Sequence, residues 1–129
     1  MAKCLIIMNH KPSQEQIKGL EEQFGIKEVL ELPDNLRPIW AQIPAEGEVF
    51  PEEQITPITR WIGKNAVVGD RIWFQGEAGA TVLLRSYCFG RGLTPIYATT
   101  RREAVEVENP DGSVTKKSIF RHVNFRYYP

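Results

Sequence analysis

The sequence predicts a small Rossmann-like α/β domain, a mostly parallel sheet flanked by helices, with a C-terminal antiparallel β-hairpin. Three observations predict it. Short apolar runs alternate with helically spaced apolar residues in the order strand, helix, strand, helix, strand, helix, strand, which implies parallel pairing through right-handed crossovers. Asn109-Pro110-Asp111-Gly112 then separates two further strand-like stretches and reads as a hairpin turn. The length of 129 residues favours one domain over 1–129 and suffices to bury a core, and 42% hydrophobic with 25% charged residues is ordinary globular composition.

The elements follow in order. Lys3 to Met8 is an apolar run, a buried strand. Ser13 stands three residues before Gln16, a capping-box signature, and Ile17, Leu20 and Phe24 continue at helical spacing until Gly25 closes the helix. Ile26 to Leu32 is the second strand, stopped by Pro33. Pro33 to Pro51 is Pro-rich, and Leu36, Ile39, Trp40 and Ile43 fit a short helical turn or an ordered loop. Pro51-Glu52-Glu53 opens the next helix, with Ile55, Ile58 and Ile62 as its buried stripe, and Pro57 can move its start by several residues.

Asp70 to Gln75 is the third strand. Gly76 to Thr81 links it to an apolar helix from about Ala80 to Phe89, ended by Gly90 and Gly92. Leu93 to Ala98 is the fourth strand, followed by Thr99-Thr100-Arg101-Arg102. After the hairpin turn, Ile119, Val123, Phe125 and Tyr127 alternate with His122, Asn124 and Arg126 on the opposite face.

Charge narrows the partners. Sixteen Lys and Arg balance sixteen Asp and Glu, which argues against coating long nucleic acid by bulk charge. The sum hides an asymmetry: residues 1–77 hold 12 acids and 8 Lys or Arg, and residues 78–129 hold 4 acids and 8 Lys or Arg. The N-terminal apolar run is too short for a signal-peptide core, and no stretch reaches membrane-span length. Cys4 and Cys88 lie in apolar segments and are expected to be core thiols of a cytoplasmic protein. No cysteine or histidine pair has metal-ligand spacing, so no metal and no cofactor are expected.

In open α/β sheets, ligands bind beyond the carboxyl ends of the strands. That rule selects Met8-Asn9-His10, the Gln75 to Thr81 loop and Thr99 to Arg102. Gly76 and Gly79 permit close backbone approach, and the free N–H groups near Gly79 and Ala80 at a helix start suit phosphate, with Thr81 adding a hydroxyl. The loop is neither a Walker A loop nor a dinucleotide fingerprint, and two glycines before a helix also make an ordinary tight turn. Glu77 disfavours a bulk anion but could accept from an adenine amino group. Thr99, Thr100, Arg101 and Arg102 offer hydroxyls and guanidiniums suited to phosphate, or a solvated turn. His10 is a candidate acid or base, or a hydrogen-bonded loop residue, and His122 is either a similar candidate or a surface strand residue. Tyr97 is the aromatic best placed beside a base. Trp40, Trp61, Trp73, Phe120 and Phe125 read as core.

Gly69-Asp70 with Gln75-Gly76-Glu77-Ala78-Gly79-Ala80-Thr81, then Gly92-Leu93-Thr94-Pro95-Ile96-Tyr97-Ala98-Thr99-Thr100 with Arg101, resemble blocks of a small CRISPR-associated family. Asp111-Gly112-Ser113-Val114 and Phe120 to Arg126 resemble its C-terminal block, and Leu32-Pro33 with Ile39-Trp40-Ala41-Gln42-Ile43-Pro44 fit as well. The chain thus resembles, over nearly its whole length, the compact type III CRISPR accessory proteins with a CARF-like fold that are regarded as ring nucleases. The resemblance implies a homodimer that binds cyclic oligoadenylate, by family habit the tetra-adenylate, and cuts it without metal. In that reaction a ribose 2′-hydroxyl attacks the adjacent phosphate and leaves a 2′,3′-cyclic phosphate, which ends the signal. On this reading Arg101 binds phosphate with Arg102 beside it, His10 moves the proton, Thr81, Thr99 and Thr100 position the ring, and Asn9, Gln75, Gly76, Glu77, Gly79, Ala80, Tyr97 and His122 are further ligand-binding residues. Two other readings use the same residues: a sponge that holds the ring uncut, and an α/β interaction protein with a basic rim.

Overall fold

A computed structural model describes residues 2–129. Five strands form one sheet in the order β2-β1-β3-β4-β5. They are β1 (Cys4–Ile7), β2 (Val29–Glu31), β3 (Arg71–Phe74), β4 (Thr94–Glu108) and β5 (Val114–Tyr127). The first four run parallel, and β5 returns antiparallel to β4. The expected mostly parallel sheet with a C-terminal hairpin is therefore present. Four helices accompany it: α1 (Gln14–Phe24), α2 (Arg37–Ala41), α3 (Thr56–Asn65) and α4 (Ala78–Gly90), with a 3-10 turn at Glu52–Ile55 before α3. None of these helices is long and apolar enough to cross a membrane.

The central strand β1 is buried on both faces, which is why Cys4-Leu5-Ile6-Ile7 reads as one apolar run rather than an alternation. Its odd and even residues feed two cores. Leu5 and Ile7 join Ile72, Phe74, Ile58, Ile62 and Leu84 beneath α3 and α4. Cys4 and Ile6 join Trp73, Ile96, Phe125 and Leu20 beneath α1. Both cysteines are free and fully buried, and burial pushes each thiol up to about 12.

Local chemistry sets the helix ends. Ser13 and Gln16 form the reciprocal capping box, and Gly25 ends α1 at φ 72°, where a side chain would be strained. Pro57 lies in the first turn of α3 and the preceding residues wind as a 3-10 turn, so the regular helix starts later than Pro51. At the foot of the sheet, burial raises the Asp70 carboxyl, but hydrogen bonds from the Lys3 side chain and from the backbone of Val67 and Lys3 outweigh it and hold the group below its ordinary range.

Two strand expectations need correction. Thr99 to Arg102 do not follow the fourth strand; they lie inside it, because β4 runs unbroken to Glu108. Past Ala98 it has lost β3 and pairs with β5 alone, so the hairpin stands out from the sheet as a two-stranded ribbon. In addition, the alternation from Ile119 to Tyr127 is broken. Thr99 pairs with Asn124 and Thr100 with His122, so Val123 is an extra residue. That bulge puts His122 on the same side as Phe125, ring centroids 4.8 Å apart, instead of opposite it. The free edge of β5 is closed at Phe125 by the Gln23 side chain, whose amide donates to Phe125 O at 2.9 Å and accepts from Phe125 N at 2.8 Å.

Candidate functional site

The chain leaves β1 to form β2 on one flank and returns to form β3 on the other, so the carboxyl ends of β1 and β3 flank the point where the strand order reverses. After β1, Met8 is buried while Asn9 and His10 emerge into solvent. After β3 come Gln75, Gly76 and Glu77, all exposed. Asn9, Trp40, Ala41, Ile43, Gln75, Gly76 and Glu77 line a recess of about 170 Å³ there. Trp40 is 3% exposed and donates from its indole to the Gln75 carbonyl at 3.1 Å. Its ring lies so close over Gly76 that an added Cβ would stand 2.9 Å from it.

The start of α4 is arranged differently from a free anion site. Glu77 is the N-cap, and its carboxylate accepts from Gly79 N and, at 3.3 Å, from Ala80 N. Thr81 donates its hydroxyl back to Ala78 O at 2.7 Å. The protein thus supplies its own anion to the helix start. Phe50 covers Gly79, where a Cβ would meet its ring at 2.7 Å, and a neighbouring 360 Å³ cavity is edged by Glu46, Glu48 and Glu77. An incoming phosphate would have to displace Glu77 and pass these acids.

The root of the hairpin carries the cations. Thr99 donates to Asn124 Oδ1 at 2.6 Å. Arg101 sits directly across the ladder from Arg121, and Arg102 across from Phe120. Arg102 Nε donates to Ser118 at 2.9 Å. Arg121 has Glu15 and Glu103 at 3.6 Å, whereas Arg101 and Arg102 have no carboxylate within ion-pair reach among the described residues. Facing like charges are unfavourable on a sheet unless an anion neutralises them. Tyr97 is half-buried and packs on Tyr128 at 4.9 Å, which in turn stacks on Phe74 at 4.6 Å.

His10 is exposed on the loop after β1, with Nδ1 3.1 Å from Lys11 O. If Nδ1 carries the hydrogen that bonds this carbonyl, Nε2 holds the free lone pair that a base needs. His122 lies elsewhere, against α1. It lines a 490 Å³ cleft with Glu15, Lys18, Gly19, Glu22, Gln23, Val123 and Asn124. Its Nδ1 is buried without a hydrogen-bond partner among the described residues, and burial holds its pKa below the ordinary 6.5 while Glu15 pulls the other way.

The structure therefore gathers Asn9, Gln75, Gly76 and Glu77 in one recess and Thr99, Thr100, Arg101 and Arg102 along one stretch of ribbon. Sequence reasoning placed Trp40 only in the core, and missed that it also walls the recess. It did not single out Asn124 or Gln23, whose partners are more than twenty residues away and leave no local signal.

Comparison with known proteins adds a family. Residues 2–126 match the family described as the uncharacterized protein MJ1673 family. A protein of Methanocaldococcus jannaschii named uncharacterized protein MJ1673 is 30% identical over 128 residues, spanning 99% of this chain and 98% of its own. No solved structure matches.

Proposed function

We propose, from the premise that this chain belongs to the uncharacterized protein MJ1673 family, that it is a ring nuclease acting on cyclic oligoadenylate. The observation that carries the reading is the pairing of Arg101 with Arg121 on a ribbon rooted beside the recess at the strand switch. A cyclic polyanion would neutralise Arg101 and Arg102, which have no carboxylate partner among the described residues, whereas Arg121 already has Glu15 and Glu103; an uncharged base would suit the uncationic recess. The resemblance of the Gln75 to Thr81 and Gly92 to Arg101 blocks to CRISPR-associated ring nucleases supports the same substrate.

The reaction is an in-line transfer. The ribose 2′-oxygen forms a bond to the adjacent phosphorus as the bond from phosphorus to the 5′-oxygen breaks, and a 2′,3′-cyclic phosphate remains. His10 takes the 2′-hydroxyl proton, the departing 5′-oxygen takes a proton from solvent water to leave as a hydroxyl, Arg101 and Arg102 stabilise charge on the phosphorane, and Thr99 and Thr100 position the ring. The protein acts as a homodimer in the cytoplasm, where two chains bring four guanidiniums from Arg101 and Arg102 to one ring, and cleavage switches off type III CRISPR signalling.

Purified protein with excess radiolabelled cyclic tetra-adenylate and a chelator tests this. Linear products ending in 2′,3′-cyclic phosphate are expected. Stoichiometric retention of intact ring would leave a sponge, and equal weak binding of cyclic and linear adenylates would leave an interaction protein with a basic rim.

A further inference from the structure

The ribbon has two edges, and the sequence treats them differently. Past Ala98, β4 pairs only with β5 among the described residues. The backbone groups of a strand alternate between its two sides. Pro95 O accepts from Tyr128 N at 3.1 Å and Asn109 N donates to Ser113 O at 2.8 Å, so odd-numbered residues face β5 from one end of β4 to the other. Even-numbered residues face away from it. Ala98 N, the first of these beyond the β3 ladder, is met by the Gln75 side chain, whose Oε1 accepts from it at 2.8 Å. Thr100, Arg102, Ala104, Glu106 and Glu108 follow on that side, all exposed, with no strand beside them among the described residues.

An open edge of this length is a template for another strand unless it is blunted. The β5 edge is blunted. It carries Lys116 and Lys117, it bulges at Val123, and Gln23 closes it at Phe125. From Ser113 to Pro129 there is no Asp or Glu, so two β5 edges brought together would set only cations against each other. Residues 99–108 of β4 contain no Lys, Pro or Gly, and their charges have both signs. Those charges are in a self-complementary order. Antiparallel pairing of two copies about a two-fold axis at Ala104, the middle of the open stretch, sets each outward N–H and C=O from Thr100 to Glu108 against a mate. The same register places Arg102 of each copy directly opposite Glu106 of the other, and the small Ala104 opposite itself. An axis at Glu103 would instead face two carboxylates.

We propose that the open edge of β4 is an interface for a second copy of this chain, the two ribbons joining into a four-stranded sheet of order β5-β4-β4-β5. This gives the homodimer a surface, and it stands whether or not the ring is cut. Sedimentation velocity of the protein at micromolar concentration, with no nucleotide present, tests it. The wild type should sediment at twice the mass of the chain. Ala104→Pro removes an outward N–H and leaves the β5 ladder intact, since proline is tolerated where a strand's N–H faces solvent. That variant should be a monomer with an unchanged circular dichroism spectrum. Arg102→Glu sets a carboxylate against Glu106, and Glu106→Arg sets a guanidinium against Arg102. Each should weaken dimerisation about tenfold or more. An equimolar mixture of these two variants should dimerise again, because each then meets the opposite charge, and this arm decides if the proline variant does not fold. A monomeric wild type overturns the proposal. So does a folded Ala104→Pro variant that stays dimeric, or a mixture that associates no more tightly than either variant alone. A wild-type dimer that meets these criteria and binds no cyclic tetra-adenylate would overturn the ring reading and leave the interface standing.

Discussion

A Cβ added to Gly19 would stand 2.5 Å from Nε2 of His122, so helix α1 and the bulged strand β5 touch at a distance only glycine permits. The bulge at Val123 turns the imidazole into this contact, and Phe125 packs against the imidazole with ring centroids 4.8 Å apart. Gly19→Ala should therefore destabilise the wild type by about 1–3 kcal/mol through overpacking. In a His122→Ala background the space is open, and the same change should stabilise by about 0.5–1 kcal/mol, the intrinsic gain of alanine over glycine inside a helix. Urea denaturation of the four proteins measures the sign reversal. An identical effect of Gly19→Ala in both backgrounds would show that the contact carries no strain.

The same packing makes His122 a source of pH dependence. Burial depresses its folded pKa below 6.5, with Glu15 as the opposing charge, while Lys18, Glu22 and Arg121 stand nearby. The unfolded chain then binds the proton first as pH falls. Stability from this group is fully present above about pH 6.5 and declines as pH drops through the folded value. The urea midpoint of the wild type should fall between pH 7.5 and 5.5 more than that of His122→Ala. Parallel pH profiles would assign the decline to other groups.

Much of the parallel half was legible because its signals are local. Ser13 with Gln16, Gly25 and the Asn109 to Gly112 turn each specify a backbone shape within a few residues, and the structure has those shapes. The continuous β4 was legible too and was misread: no Gly or Pro interrupts Ile96 to Glu108, and Thr99 and Thr100 favour strand. Val123 was not legible, since a bulge is a pairing property of two strands and inverts an alternation that looks regular in one. Nor was the role of Gln75, because its Ala98 partner is brought beside it only when the sheet assembles.

Glu77 caps α4 with the same oxygen that keeps anions from Gly79 N and Ala80 N. Glu77→Ala should thus lower stability by about 0.5–2 kcal/mol. It should also raise ring affinity by about two- to fivefold, the scale of a charge at a helix end. Thermal melts and ring titration on one preparation would show the opposite signs. A loss of ring affinity would instead make Glu77 a direct acceptor from the ligand.

Arg101 lies where the ribbon leaves the sheet, while Lys116 lies near the turn across from Glu106. Arg101→Ala should weaken ring binding about tenfold or more, as loss of a charge-assisted contact, and Lys116→Ala less than about twofold. Stability should separate the effect from misfolding. Arg101 has no carboxylate partner among the described residues and Arg121 across the ladder keeps Glu15 and Glu103, so the urea midpoint should hold within about 0.5 kcal/mol of stability. Equal binding losses for the two variants would mean that net charge alone attracts the ring.

His10 is exposed and, among the described residues, its ring contacts only its neighbour's carbonyl, so His10→Ala removes a proton carrier with little change in packing. Binding of cyclic tetra-adenylate should stay within about twofold, because no phosphate contact is assigned to the imidazole, while the single-turnover rate should fall by about 10²–10⁴-fold if it takes the 2′-hydroxyl proton. Quenched-flow cleavage at saturating enzyme separates the two, since ring capture is then complete before chemistry begins. A rate equal to wild type would remove His10 from the reaction. The acceleration would then have to come from holding the 2′-oxygen in line and from the guanidiniums on the ribbon, and the Arg101→Ala variant, saturated with ring, would carry the entire rate loss.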